Sequence, residues 1–114
     1  MSDSEQSVGY QPIPIQFQVP KELGGELKKS VIMRPPTTED VELAQLMAQS
    51  PVHKDILLYA NLTETSEEFV RSLAFYDFRQ LESAFDAFMC PVFDHVDKRA
   101  LFLPKPLEAT ASKS

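Results

Sequence analysis

One cysteine, three glycines, no tryptophan and no long apolar run leave this 114-residue chain few routes to chemistry. Cys90 alone has no intramolecular disulfide partner, which suits a reducing cytoplasm. Gly24-Gly25 is not followed by the Lys-Ser/Thr pair of a phosphate-cradling loop. No stretch reaches the roughly 18 apolar residues of a spanning helix. The opening MSDSEQSVGYQP has neither the basic start nor the apolar core of a signal peptide. Positive charge is also scarce: 11 Lys and Arg stand against 17 Asp and Glu, for a net charge of −6 and a sequence pI of about 4.8. Direct nucleic-acid binding needs a basic patch to neutralise phosphates, so that class is not expected.

What is present is a chain of single-domain length, 43% hydrophobic and 25% charged, enough for a core of modest size. The negative charge is uneven. Residues 37–89 hold ten acids against Lys54, Arg71 and Arg79, while the rest holds seven acids and eight bases. A solvated surface accounts for this excess. A second reading is an acidic face that steers a basic partner.

Residues 1–11 are polar and expected to be disordered, as is the polar tail 104–114, with one domain over 12–103 between them. Ile13, Ile15, Phe17 and Val19 alternate with polar residues or proline, the period of a half-buried strand. Pro12 and Pro14 make it an edge strand, since proline has no ladder donor. Gly24-Gly25 predicts a turn, and Leu27 to Met33 a second strand with Leu27, Val31 and Met33 on one face. Such a hairpin, spanning 13–33, needs something to pack on.

Pro35-Pro36 ends the second strand, and the helical region, about 38–89, begins. Thr37 with Asp40 reads as a capping box for a helix from Thr38 to about Gln49, with Val41, Ala44 and Met47 on one face flanked by Leu43 and Leu46. Ser50-Pro51 starts a second helix to about Asn61. Thr65 and Glu68 predict a cap for a short helix over Glu67 to Leu73. Asp77 and Gln80 suggest a fourth start, followed by the cleanest amphipathic stripe in the chain: Phe78, Leu81, Ala84, Phe85, Phe88 and Met89. Pro91 ends it, and VFDHVDKRALFLP shows no sustained period. The expected fold class is α+β, an N-terminal two-stranded β-hairpin packed on three to four helices.

No serine-nucleophile motif occurs. Cys90, Asp94, His95 and His53 are possible metal ligands, but the Cys-x4-His spacing is poor for zinc and no second pair completes it; neither metal nor cofactor is expected. Cys90 reads as a small apolar residue at a helix end and His53 as a surface residue of the second helix. The pairs Glu39/Asp40 and Glu67/Glu68 sit at helix starts, where capping explains them without acid–base catalysis. The chain is therefore expected not to be an enzyme.

With these elements placed, the chain resembles the tail assembly chaperones of long-tailed bacteriophages, in particular the small type of contractile-tailed phages. VIMRPPTTEDVELAQLM matches that family's apolar strand, Arg, x-Pro-Thr, x-x-Asp join at Arg34, Pro36, Thr37 and Asp40. LYANLTETSEEFVRSL is similar to its middle helix, Leu-Thr and Glu-rich short helix, and YDFRQLESAFDAFM to its last helix. The likeness covers about Ile15 to Met89. The doubled proline and the long polar lead depart from the usual form.

The resemblance implies a non-enzymatic protein that binds the tape measure protein and keeps it soluble in the host cytoplasm during tail tube assembly, absent from the mature virion. Where a frameshift makes a longer product, it also implies contact with the tail tube protein. A client-binding face, or one shared in a homo-oligomer, is expected among Leu58, Tyr59, Phe78, Leu81, Phe85, Phe88 and Met89. The plainer alternative is that the stripe is core, more so at Leu81 and Phe85 than at Phe88 and Met89. The competing functional reading is a small acidic regulator that blocks a basic, nucleic-acid-binding partner.

Overall fold

A computed structural model describes residues 9–103. The expected lead and tail lie outside them, apart from residues 9–11. The elements in chain order are β1 (Ile13–Leu23), β2 (Glu26–Met33), α1 (Thr38–Met47), α2 (Pro51–Leu62), α3 (Glu67–Ser72), α4 (Phe75–Asp86) and α5 (Val92–Ala100). The fold is α+β with an N-terminal hairpin, as the alternation and the capped helices predict. It has one helix more than expected: the stretch that shows no sustained period builds α5.

The hairpin is antiparallel, with Ile13 opposite Met33 and Ile15 opposite Val31. Gly24 and Gly25 both have positive φ, +61° and +86°, which a side chain would resist, and they close the two-residue turn. The register then slips: Gln16 pairs with Ser30 but Lys21 pairs with Lys28. Residues 17–20 of β1 thus bulge opposite Lys29, with Pro20 inside the bulge, where a missing N–H does least harm. The slip breaks the expected alternation. Phe17 still turns into the core against Phe69, with ring centroids 5.9 Å apart, but Val19 faces solvent. Leu27, expected inside, lies beyond the register slip and is exposed.

The core joins the inner hairpin face (Ile13, Ile15, Phe17, Val31, Met33) to Leu58, Leu62, Phe69, Val70, Leu81 and Ala84 from the helices. Three helix boundaries differ from the sequence expectation. First, α1 ends at Met47, two residues short of Gln49; within it Ala44 is buried while Met47 and Leu46 are exposed. Second, α3 is capped by Ser66, whose hydroxyl accepts from the Phe69 N–H, and not by Thr65. Thr65 closes the end of α2: its N–H donates to Ala60 O and its hydroxyl pairs with Thr63, while Glu64 takes positive φ. Third, α4 begins at Phe75 without a side-chain cap. Asp77 and Gln80 serve the hairpin instead.

Candidate partner-binding surface

Two carboxylates hold the hairpin to the helices and thereby set which apolar surfaces remain open. At the Pro-Pro join, Asp40 accepts both arms of the Arg34 guanidinium at 2.8 and 3.0 Å, the Thr37 N–H at 2.9 Å, the Thr37 hydroxyl at 3.0 Å and the Asn61 amide at 3.2 Å. The capping box predicted from Thr37 and Asp40 is present in full. Through Arg34 and Asn61, Asp40 also ties the end of β2 to α2, and the Arg34 N–H adds a backbone bond to Leu62 O at 3.0 Å. The Arg34 hydrogen bonds, with those from Thr37, outweigh desolvation and hold the Asp40 carboxyl well below the usual carboxylate range. This is the physical content of the Arg-x-Pro-Thr-x-x-Asp spacing: a short, proline-stiffened link whose side chains bridge strand, helix start and neighbouring helix.

Asp77 is the second tie. It is fully buried and accepts the N–H groups of Gln18 and Val19 at 2.8 and 3.0 Å. Those donors lie in the β1 bulge, out of reach of β2 ladder partners. Gln80 braces both sides, donating to Asp77 at 3.0 Å and to Gln16 O at 2.7 Å. Sequence reasoning missed this role because an acid followed three residues later by Gln looks like a cap. The bulge that needs those acceptors is a tertiary feature.

Against this frame, Leu58, Tyr59, Leu81 and Phe88 are buried. Phe78 and Phe85 are partly buried, flanking Tyr59 with ring centroids at 5.8 and 5.7 Å. Burial raises the Tyr59 phenol pKa above its ordinary value. Met89, beyond the end of α4, is exposed. The stripe therefore packs inward for most of its length. A client reaches Met89 and the outer edges of Phe78 and Phe85 without unfolding, and the other four only by displacing core.

The open apolar surface nearest the stripe lies on its other flank. Val52 and Ile56 of α2, Val70 and Arg71 of α3, and Leu73, Phe75 and Phe78 line an open groove of about 340 Å³. Phe75 is 71% exposed and Val52 64%. Phe75 stacks on Phe78 at 6.5 Å, with the Arg79 guanidinium 5.8 Å from its ring centroid. At one rim His53 accepts the Gln49 N–H through Nδ1 and donates through Nε2 to Glu67 at 2.9 Å. Expected to be a surface residue, it is half-buried and links α2 to α3. Glu67 also takes Arg71 at 2.8 Å, and that hydrogen bond lowers its carboxyl from the ordinary value. Leu43, Leu46 and Met47 add a further exposed apolar face on α1.

Among the described residues no group of three or more His, Cys, Asp or Glu is placed to hold a metal ion. His95 is fully buried, with Nδ1 donating to Ala87 O at 2.9 Å and Nε2 accepting from the Gln11 N–H at 3.0 Å. Both ring nitrogens are thus occupied as a structural clamp. No helix of the described residues is long and apolar enough to cross a membrane.

A family model described as phage tail assembly chaperone proteins, E, or 41 or 14, matches residues 15–89. The chain belongs to the phage tail assembly chaperone family. The matched segment runs from the second core residue of β1 to Met89, and so takes in both carboxylate ties and the whole groove while leaving out α5. No curated protein and no solved structure matches the chain.

Proposed function

We propose that this tail assembly chaperone binds the tape measure protein, and that the groove formed by Val52, Ile56, Val70, Leu73, Phe75 and Phe78 is where a client helix docks. The observation that carries this reading is the exposed Phe75 ring beside an open apolar groove, inside the segment that matches the family. Phe75 and Val52 sit in a contiguous apolar lining and not as scattered single residues; such a patch marks an interaction site, and an amphipathic helix laid in a groove is a common way to cover one. Several of the acids surrounding the groove sit at helix starts or in ion pairs, which keeps the chaperone soluble while the apolar surface stays open.

The chaperone acts by occupancy. It covers apolar stripes of a long helical client until tube protein polymerises around that client, and leaves before the particle is complete. On this reading it works in the host cytoplasm, is left out of the mature virion and carries out no catalytic step. A longer frameshift product would add contact with the tail tube protein. The direct test is co-expression of a tape measure fragment with the chain. The fragment should move from the pellet to the soluble fraction and co-purify. A fragment that stays insoluble, or is equally soluble alone, overturns the reading.

A further inference from the structure

The outer face of the hairpin carries a charge pairing that the domain itself does not balance. Lys21 stands directly opposite Lys28 in the ladder, where like charges repel. Among the described residues neither lysine is in an ion pair, not even with Glu22 or Glu26 beside the turn. Ile32 alternates with the buried Val31 and Met33, so it shares this outer face with Lys28, and it is 62% exposed. Lys28, Ser30, Ile32 and Leu23 line an open groove of about 570 Å³; Glu64, which also lines it, lies near Arg34. The opposite combination occurs on α1. At 100° per residue Glu39, Glu42, Leu43, Leu46 and Met47 fall within about 140°, away from the buried Ala44. All five are exposed, Leu46 by 74%, and α1 contains no base. A third exposed face, the Phe93, Val96 and Ala100 stripe of α5, is flanked by Asp97 and so does not match α1.

We propose that these two faces are each other's partner, so that α1 of one copy lies across the outer hairpin face of a second copy. Charge and spacing together select this occupant. On α1 the acids precede Leu46 and Met47 by one to two turns, about 6 to 12 Å. On β2 Lys28 precedes Ile32 by about 13 Å of extended strand. A helix laid along β2 in the same direction therefore sets Glu39 and Glu42 against Lys21 and Lys28 while Leu46 and Met47 reach Ile32. A reversed helix sets apolar side chains on the lysines and acids on Ile32. A face that meets its own kind sets lysine on lysine or glutamate on glutamate. Neither face shares a residue with the client groove. One short helix on a two-stranded face buries little area, at or below the roughly 1,200 Å² of small specific interfaces, so the contact is weak and depends on concentration.

Sedimentation equilibrium of the full chain at low salt, from micromolar to several hundred micromolar, tests this. The wild type should self-associate as concentration rises, and added salt should reverse it. Glu39→Lys with Glu42→Lys makes both faces basic, and Lys21→Glu with Lys28→Glu makes both acidic. Each double variant should weaken self-association about tenfold or more and keep the melting midpoint within a few degrees, because none of the four side chains is buried or paired. The chain carrying all four exchanges keeps the net charge of −6 and has its two faces swapped. It should associate as the wild type does. Leu46→Asp, which leaves both charged pairs in place, should also weaken the contact. A wild type that stays monomeric throughout overturns the proposal. So does a double variant that associates as tightly as the wild type, or a fourfold exchange that stays monomeric. If the wild type is monomeric and Leu46→Asp lowers co-purification of a tape measure fragment, the α1 face belongs to the client instead of a second copy.

Discussion

Helices α4 and α5 are both amphipathic, yet they turn opposite sides to the protein. Most of the α4 stripe, led by Leu81 and Ala84, faces the core. The α5 stripe faces solvent, and the side that docks carries a histidine. What separates them is the buried polar residue on each. Asp77 meets two bulge N–H groups, and His95 meets one N–H and one carbonyl. Each is fully buried and each is satisfied. A buried polar group has to be satisfied, so its partners fix the helix rotation even against the pull of an apolar stripe. Apolar periodicity alone says that a helix has two faces, and the hydrogen-bonded residue says which one is inside.

The sharpest break of this comparison is a pair of matched substitutions. Phe88→Asp, at the end of the inward stripe, should cost about 4 kcal/mol, because it buries an unpaired charge. Phe93→Asp, on the outward stripe, should stay within about 0.5 kcal/mol. Urea unfolding of the two variants at low protein concentration checks this, and equal costs would remove the distinction.

Asp77→Ala comes next. It removes the acceptor of two part-buried N–H groups and should cost about 2 kcal/mol. Native-state hydrogen exchange should show the Gln18 and Val19 amides losing protection before the helices do. Uniform loss across the domain would mean that Asp77 does not tie the hairpin specifically.

Asp40 adds a dependence on pH. Its carboxyl is held below its ordinary value in the folded state, so its stabilisation is present above the unfolded value of about 4 and is lost as pH falls further. Asp40→Asn should cost about 2 kcal/mol near neutrality through loss of the charge-assisted bonds to Arg34. It should also flatten the fall in melting midpoint between about pH 4 and pH 2. A variant with the wild-type acid slope would assign that slope to other carboxylates. The smallest effect is expected at the cap: Thr37→Ala should lower stability by about 1 kcal/mol, read as a shift in the urea midpoint.

The hairpin, its glycine turn, the Thr37–Asp40 box and the Ser50-Pro51 start were all legible in the sequence, because each rests on residues within a few positions of one another. The parts that were not legible depend on long-range partners. The slip between Gln16 and Lys21 arises where Pro20 interrupts the ladder, and it needs Asp77 from α4 to be tolerated. The Ser66 cap differs from the expected Thr65 by one residue, because the end of α2 claims Thr65 first. Helix α5 did leave a local signal: Pro91 before its start, Asp94 in the first turn, Lys98 and Arg99 in the last, and Phe93, Val96 and Ala100 at helical spacing. Its apolar residues point outward, so no core pattern marked it. The candidate face was readable as a stripe, but its direction was not. Four of its seven residues are core, and the open groove lies beside it, around Phe75 and Val52.

The central claim is that this groove holds the client. The most direct measurement is the affinity of the purified chain for a soluble tape measure fragment, by calorimetry, for wild type and for Val52→Asp with Phe75→Asp. Both side chains are largely exposed, so the double variant should keep the wild-type melting midpoint within a few degrees. Its affinity should fall at least tenfold, as expected when an aromatic anchor is lost and charge enters an apolar groove. A folded double variant that binds the fragment as tightly as the wild type would contradict the account.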